Sequence, residues 1–117
     1  MPKAYYYKNL LFPVADDTDV NFTVEFVSDG NAGHTAINVP GPNDPQIEDS
    51  GTKWIGKGRD LRADTTFVAT DVANLAPQED EIRIRYKIND QLIVEHSNPK
   101  SEEQRPMIYL FIKFPSL

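Results

Sequence analysis

The sequence predicts an all-β protein: an antiparallel β-sandwich of about seven or eight strands, Ig-like or C2-like in kind, with a small barrel as the alternative. Two segments carry that expectation. In Val20-Asn21-Phe22-Thr23-Val24-Glu25-Phe26 every even residue is apolar and every odd one polar, the period of a strand with one buried and one wet face. In Glu81–Ile88 the apolar set is Ile82, Ile84, Tyr86 and Ile88, and the opposite face is Glu81, Arg83, Arg85 and Lys87. A third observation is punctuation. Asp16-Asp17-Thr18-Asp19, Ser28-Asp29-Gly30-Asn31-Ala32-Gly33 and Pro40-Gly41-Pro42-Asn43-Asp44-Pro45 separate short apolar runs, the spacing of turns in a sandwich or barrel.

The remaining strands follow from weaker patterns. Tyr5–Phe12, His34–Val39, Thr52–Ile55, Thr65–Val72 and Met107–Phe114 are apolar runs of strand length. Asn89-Asp90 lies between the Glu81–Ile88 strand and Gln91–His96, and both residues tolerate positive φ, so a tight hairpin is expected there. Helix signals are sparse. Ser101-Glu102-Glu103-Gln104 has capping-box spacing, but Pro106 stops it after one turn. Asp71–Pro77 is a second candidate for a short turn. With no internal repeat or linker, residues 1–117 read as a single domain.

Size and composition set the outer bounds. A chain of 117 residues can bury roughly two thirds of its unfolded surface, enough for a core without staples. Its apolar fraction of 39% and charged fraction of 26% are those of a globular chain and not of a disordered one. The absence of cysteine excludes disulfides, thiolate metal sites and cysteine nucleophiles. The opening residues lack the apolar stretch of a leader, so the expected address is the cytoplasm, with an extracytoplasmic one left open. No run approaches the roughly 20 apolar residues of a membrane helix.

Charge is uneven along the chain. Residues 1–52 carry two bases against eight acids, a balance of −6; residues 53–117 carry ten of each, a balance of zero. An acidic chain repels phosphate backbones, which disfavours nucleic acid as a partner.

No catalytic constellation stands out. His34 and His96 have no companions at metal-binding or triad spacing and read as surface or strand-end residues. Neither a nucleophile elbow nor a phosphate loop is present, so an enzyme is the least expected class. Gly56-Lys57-Gly58-Arg59-Asp60-Leu61 is glycine-rich without the third glycine and following helix of a phosphate site. Its Lys57 and Arg59, with Lys53 and Arg62 nearby, are the candidate anion-binding residues. Asp16, Asp17 and Asp19 are the candidate ligands for Ca²⁺, which takes six to eight oxygens; Asp29 and Asn31 lie in the next turn. Asn21-Phe22-Thr23 matches a glycosylation sequon on the polar face of its strand.

The first and last strands are apolar on both faces. In the first, Tyr5, Tyr7 and Leu11 alternate with Tyr6, Leu10 and Phe12. In the last, Ile108, Leu110, Ile112 and Phe114 alternate with Met107, Tyr109 and Phe111. Such strands are covered twice or expose a patch, so Tyr5, Tyr7, Tyr109 and Phe111 need a cover. The proline-rich segment Pro40–Gly51 is the intramolecular candidate; a protein partner or a second copy is the other. The expected function is accordingly a non-catalytic binding or assembly module without a cofactor. The alternative is a ligand-binding module, for Ca²⁺ through the Asp-rich loop or for an anion or carbohydrate through Trp54 with Lys57 and Arg59.

Overall fold

The two strictly alternating segments become neighbours. In the computed structural model, which describes residues 3–27, 31–41, 44–74 and 80–117, β2 (Asp19–Phe26) pairs antiparallel with β7 (Glu81–Ile88). The register sets Phe22 opposite Ile88, Val24 opposite Tyr86 and Phe26 opposite Ile84. Because side chains alternate across a strand, this places the apolar halves of both patterns on one face. β5 (Gly51–Lys57) and β8 (Gln91–Pro99) flank this pair, giving a four-stranded sheet in the order β5-β2-β7-β8. Asn89 and Asp90, with φ of 48° and 65°, form the expected tight turn between β7 and β8, both in the left-handed region that matches hairpin twist.

The second sheet has five strands. β1 (Ala4–Leu11), β9 (Met107–Lys113), β6 (Thr66–Asn74), β3 (Asn31–Asn38) and β4 (Gln46–Glu48) lie in that spatial order. The sheets stack as an open sandwich, edged by β1 and β4 on one layer and β5 and β8 on the other, with no barrel closure. Val68 of β6, Ile37 of β3, and Ile108, Leu110 and Ile112 of β9 meet Phe22, Val24, Ile82, Ile84 and Tyr86 in one continuous buried cluster. One polar chain crosses it: the Tyr86 hydroxyl donates to Thr70 Oγ1 at 2.8 Å, and Thr70 shares a 2.9 Å bond with Thr35. Burial raises the Tyr86 phenol well above its ordinary value, so the hydroxyl stays a donor between the sheets.

Four expectations are corrected. The sandwich is not purely antiparallel, since β1 runs parallel to β9. The described residues form nine strands because Pro40–Gly51 contributes β4, which pairs with β3 through Thr35 and Ile47. Ile47 is buried there, and that one anchor gives three residues a place in the sheet. The described residues of the segment therefore extend the edge opposite β1 and do not lie over the Tyr109–Phe111 face. Finally, residues 71–74 continue β6 and residues 101–102 form a turn, while the helical turn, α1, is Gly58–Leu61. The part of the expected 71–77 turn beyond Asn74 lies outside the described residues, as do Ser28–Gly30 and Pro42–Asn43. No helix among the described residues is long and apolar enough to cross a membrane.

Candidate functional site

A bulge decides which tyrosines face outward. β1 and β9 are in register from Ala4/Met107 to Tyr7/Leu110, then resume at Leu10/Ile112. Lys8 and Asn9 thus oppose Phe111 alone, and Asn9 takes a φ of 62°, a conformation asparagine tolerates better than most residues. The extra residue reverses the alternation. Leu10 turns inward onto the core with Tyr7, and Leu11 turns out to 65% exposure. Simple alternation had set Tyr7 and Leu11 on one face and Leu10 on the other.

The four tyrosine and phenylalanine candidates therefore divide. Tyr5 and Tyr7 face the four-stranded sheet across its β8 edge, where both rings meet the His96 imidazole edge-on at 4.7 and 5.8 Å. His96, expected at the surface or a strand end, is fully buried inside β8. Its Nε2 lies 2.7 Å from Asn98 Oδ1, and its Nδ1 lies 2.7 Å from the Tyr7 hydroxyl. Asn98 Nδ2 donates to the carbonyls of Pro99 and Glu103, so its oxygen is the atom facing His96. That makes Nε2 the protonated nitrogen and leaves Nδ1 to accept from Tyr7. Burial pushes the imidazole below its ordinary pKa. Every polar atom of this neutral ring is satisfied, and its work is to close the seam between β1 and β8.

Tyr109 and Phe111 face outward, joined by Tyr6 and Phe67, which the sequence pattern did not single out. Tyr6 stacks on Tyr109 (centroids 5.2 Å apart, planes at 21°), Tyr109 on Phe67 (5.6 Å, 15°), and Phe67 tilts against Phe111 (5.0 Å, 52°). This strip spans β1, β9 and β6. Its middle row runs in register from Tyr6 through Tyr109, Ala69 and Ala36 to Gln46. The two alanines leave a shallow floor beside the rings. At one corner of the face stand Lys8, with its ammonium 5.5 Å from the Tyr6 ring centre, and Lys113. At the diagonally opposite corner, in one row, stand Asp71, His34 and Glu48, the last two joined at 2.6 Å. Tyr6 is 59% exposed, while Phe67, Tyr109 and Phe111 are half-buried.

The Asp-rich loop and the glycine-rich basic segment, read separately in the sequence, are partners. Gly58 N donates to Thr18 O at 3.0 Å and Arg59 N to Asp16 O at 3.1 Å. Gly58 is seated so closely that a Cβ there would stand 2.2 Å from the Ala15 carbonyl oxygen, and only glycine permits that approach. The side chains then pair in order: Arg62 with Asp16, Arg59 with Asp17 at 2.6 Å, and Lys57 with Asp19 at 3.3 Å. Asp16, Asp17 and Asp19 each turn to a different base instead of converging, and among the described residues no three carboxylates or imidazoles gather as metal ligands. Hydrogen bonds from Trp54 and Lys57 hold the Asp19 carboxyl below the usual carboxylate range. The negative excess of the first half of the chain is thus partly cancelled by bases from the second. Lys57 and Arg59 are correspondingly engaged, with less charge left for an anion than the sequence suggested.

Beside this cluster lies a cleft of about 680 Å³ between the β3–β4 connection, the end of β5 and α1. Val39, Ile55 and Leu61 contribute buried apolar surface to it, and Trp54 stands at it half exposed. Asn21, the sequon residue, is paired opposite Trp54 and is exposed. With this geometry in hand, comparison with known proteins adds no relative: no family model, no curated protein and no solved structure matches the chain.

Proposed function

We propose that this chain is a non-catalytic assembly module that docks a second copy of itself through the outer face of its five-stranded sheet. The observation that carries the reading is the stacked strip of Tyr6, Tyr109, Phe67 and Phe111 on a face where a sandwich ordinarily meets water. Aromatic side chains supply large contact area with few rotors to freeze, which is why they concentrate in the middle of interfaces.

Self-docking is favoured by the charge diagonal. A two-fold axis lying in the plane of the contact, perpendicular to that diagonal, sets Lys8 and Lys113 of one copy against Asp71 and Glu48 of the other. The same axis sets strip against strip, so the face is complementary to itself. Five strands at about 4.8 Å spacing and four rows at about 6.8 Å give a face roughly 20 Å on a side. That is small for a protein interface and belongs with weak, transient association.

The test is the oligomeric state by sedimentation equilibrium up to about millimolar chain, because weak interfaces fall in the micromolar-to-millimolar range. A reversible dimer is expected, lost in Tyr109→Ser and in Lys113→Glu, and recovered when Lys113→Glu is combined with Glu48→Lys. A chain that stays monomeric throughout, or dimers indifferent to these changes, would overturn the reading.

A further inference from the structure

We infer that the cleft beside Trp54 binds a neutral carbohydrate. Trp54 is the one tryptophan of the chain, and 53% of it is exposed. Its orientation is nevertheless fixed: the indole N–H donates to Asp19 Oδ1 at 3.0 Å, and Asp19 is itself held by Lys57 at 3.3 Å. An indole tethered by its nitrogen, with half its surface in water, is a preorganised platform for a flat apolar partner. Pro40 and Pro45 line the same cleft and add apolar surface to it. The volume of about 680 Å³ lies within the range of small-molecule sites and accommodates one or two sugar rings.

The polar groups choose among ligands. Asp60 lines the same cleft, and its carboxylate has no hydrogen-bond or ion-pair partner among the described residues. It can accept two hydroxyl hydrogens from neighbouring carbons of one ring. Arg59 also lines the cleft; Nη1 is committed to Asp17, which leaves guanidinium hydrogens for ring or hydroxyl oxygens. An anionic ligand is disfavoured, because the nearby bases already hold carboxylates while Asp60 adds an uncompensated negative charge. A sugar ring, with apolar C–H faces and a rim of hydroxyls, presents what the tryptophan face and the carboxylate each require. Trp54 belongs to the edge of the four-stranded sheet, so this site stands or falls independently of the aromatic face of the other sheet.

Because Trp54 is unique, its fluorescence reports this cleft alone. The experiment titrates the intact chain with glucose-, galactose-, mannose- and N-acetylglucosamine-based disaccharides, with inorganic phosphate and a polyproline peptide as competing chemistries. At least one sugar is expected to give a saturable blue shift with a Kd in the millimolar range, as a shallow site with few contacts implies. By ligand-observed NMR, Asp60→Asn is expected to weaken binding about tenfold, the loss of a charged acceptor, and Trp54→Ala to abolish it with the fold retained by circular dichroism. No saturable shift with any sugar, a shift only with phosphate or the peptide, or sugar binding undiminished in Trp54→Ala would each overturn the inference.

Discussion

The two outer faces of this sandwich are built on opposite principles. On the four-stranded sheet the outward row of β7 is charged, and each charge finds a neighbour: Arg83 meets Glu81 at 2.7 Å, Arg85 meets Glu95 at 3.3 Å, and Lys87 meets Glu25 at 3.2 Å. Thr23 and Thr52 share a 2.8 Å bond farther along the same face. On the five-stranded sheet the outward positions include Tyr6, Tyr109, Phe67 and Phe111, with charge at two corners. Both sheets contribute equally dry inner faces, so the core does not require this asymmetry. A solvated face needs only polar residues of mixed sign, whereas rings left in water forgo the gain from burial. Solvation accounts for the charged face, and it does not account for the aromatic one.

The largest effect that can separate inside from outside on one strand comes from adjacent residues of β9. Leu110 is fully buried between the sheets. Leu110→Ala is expected to cost about 2–5 kcal/mol, the lost transfer energy plus the cavity left behind. Phe111 carries the bulkier side chain but points outward, so Phe111→Ala is expected to cost about 1 kcal/mol. Urea unfolding at low micromolar concentration, where self-association is negligible, measures both. Equal losses would mean that the outer rings are part of the core, and the contrast between the faces would collapse.

How much of this was legible depends on how far each residue's partner lies. The β7 pattern is legible because its information is local: four charges and four apolar residues in alternation state the strand, its inner face and its wet face together. β9 likewise announced two apolar faces. β1 misled, since the sense of its alternation changes at Asn9, and no local pattern signals a bulge that depends on pairing with a strand about a hundred residues on. His96 looked solitary because the hydroxyl it accepts belongs to Tyr7, 89 residues away. The Asp16–Asp19 loop and the Lys57–Arg62 segment each looked like a binding site, because 38 (57 − 19) to 46 (62 − 16) positions separate the charges that satisfy each other. The strand β4 hid directly behind a run of prolines, with Ile47 its only apolar residue. Pairing across the fold, not composition, was what the sequence withheld.

A medium effect belongs to the seam, where the inner residues of the aromatic-bearing β1 meet β8. Tyr5, Tyr7, Asn98 and Glu102 are the groups around His96. Its native pKa lies below the unfolded value of 6.5, so below about pH 6.5 the unfolded chain binds the proton first. Stability is then fully present above that pH and falls as pH drops through it, by at most about 1.4 kcal/mol per pH unit, until the native imidazole also titrates. Carboxylates with lowered pKa values, Asp19, Glu102 and Glu103, bring their own losses nearer pH 4. The His96 share is therefore read as the difference between the wild type and His96→Gln over pH 5–7 in thermal melts, with both variants expected to run parallel below that window. Tyr7→Phe removes the donor to Nδ1 and is expected to cost about 1–3 kcal/mol at pH 8. A wild type whose stability is flat between pH 7 and 5 would place His96 in water, not in the seam.

The smallest effect is the one expected on the charged face. Glu95 lies 3.3 Å from Arg85 and 3.6 Å from Arg83, with all three side chains more than a third exposed. Exposed pairs of this kind are screened by water and salt and spend side-chain entropy to form. Glu95→Gln is therefore expected to change unfolding stability by less than about 0.5 kcal/mol, with the difference shrinking further in molar salt, and to leave the oligomeric state untouched. Arg83 keeps Glu81 in that variant, and Arg85, which loses its partner, stays solvated because its side chain is 40% exposed. A loss as large as that of Leu110→Ala would show the ion pairs of the four-stranded sheet to be cooperative and structural. The two outer faces would then differ in chemistry while carrying equal weight in holding the sandwich together.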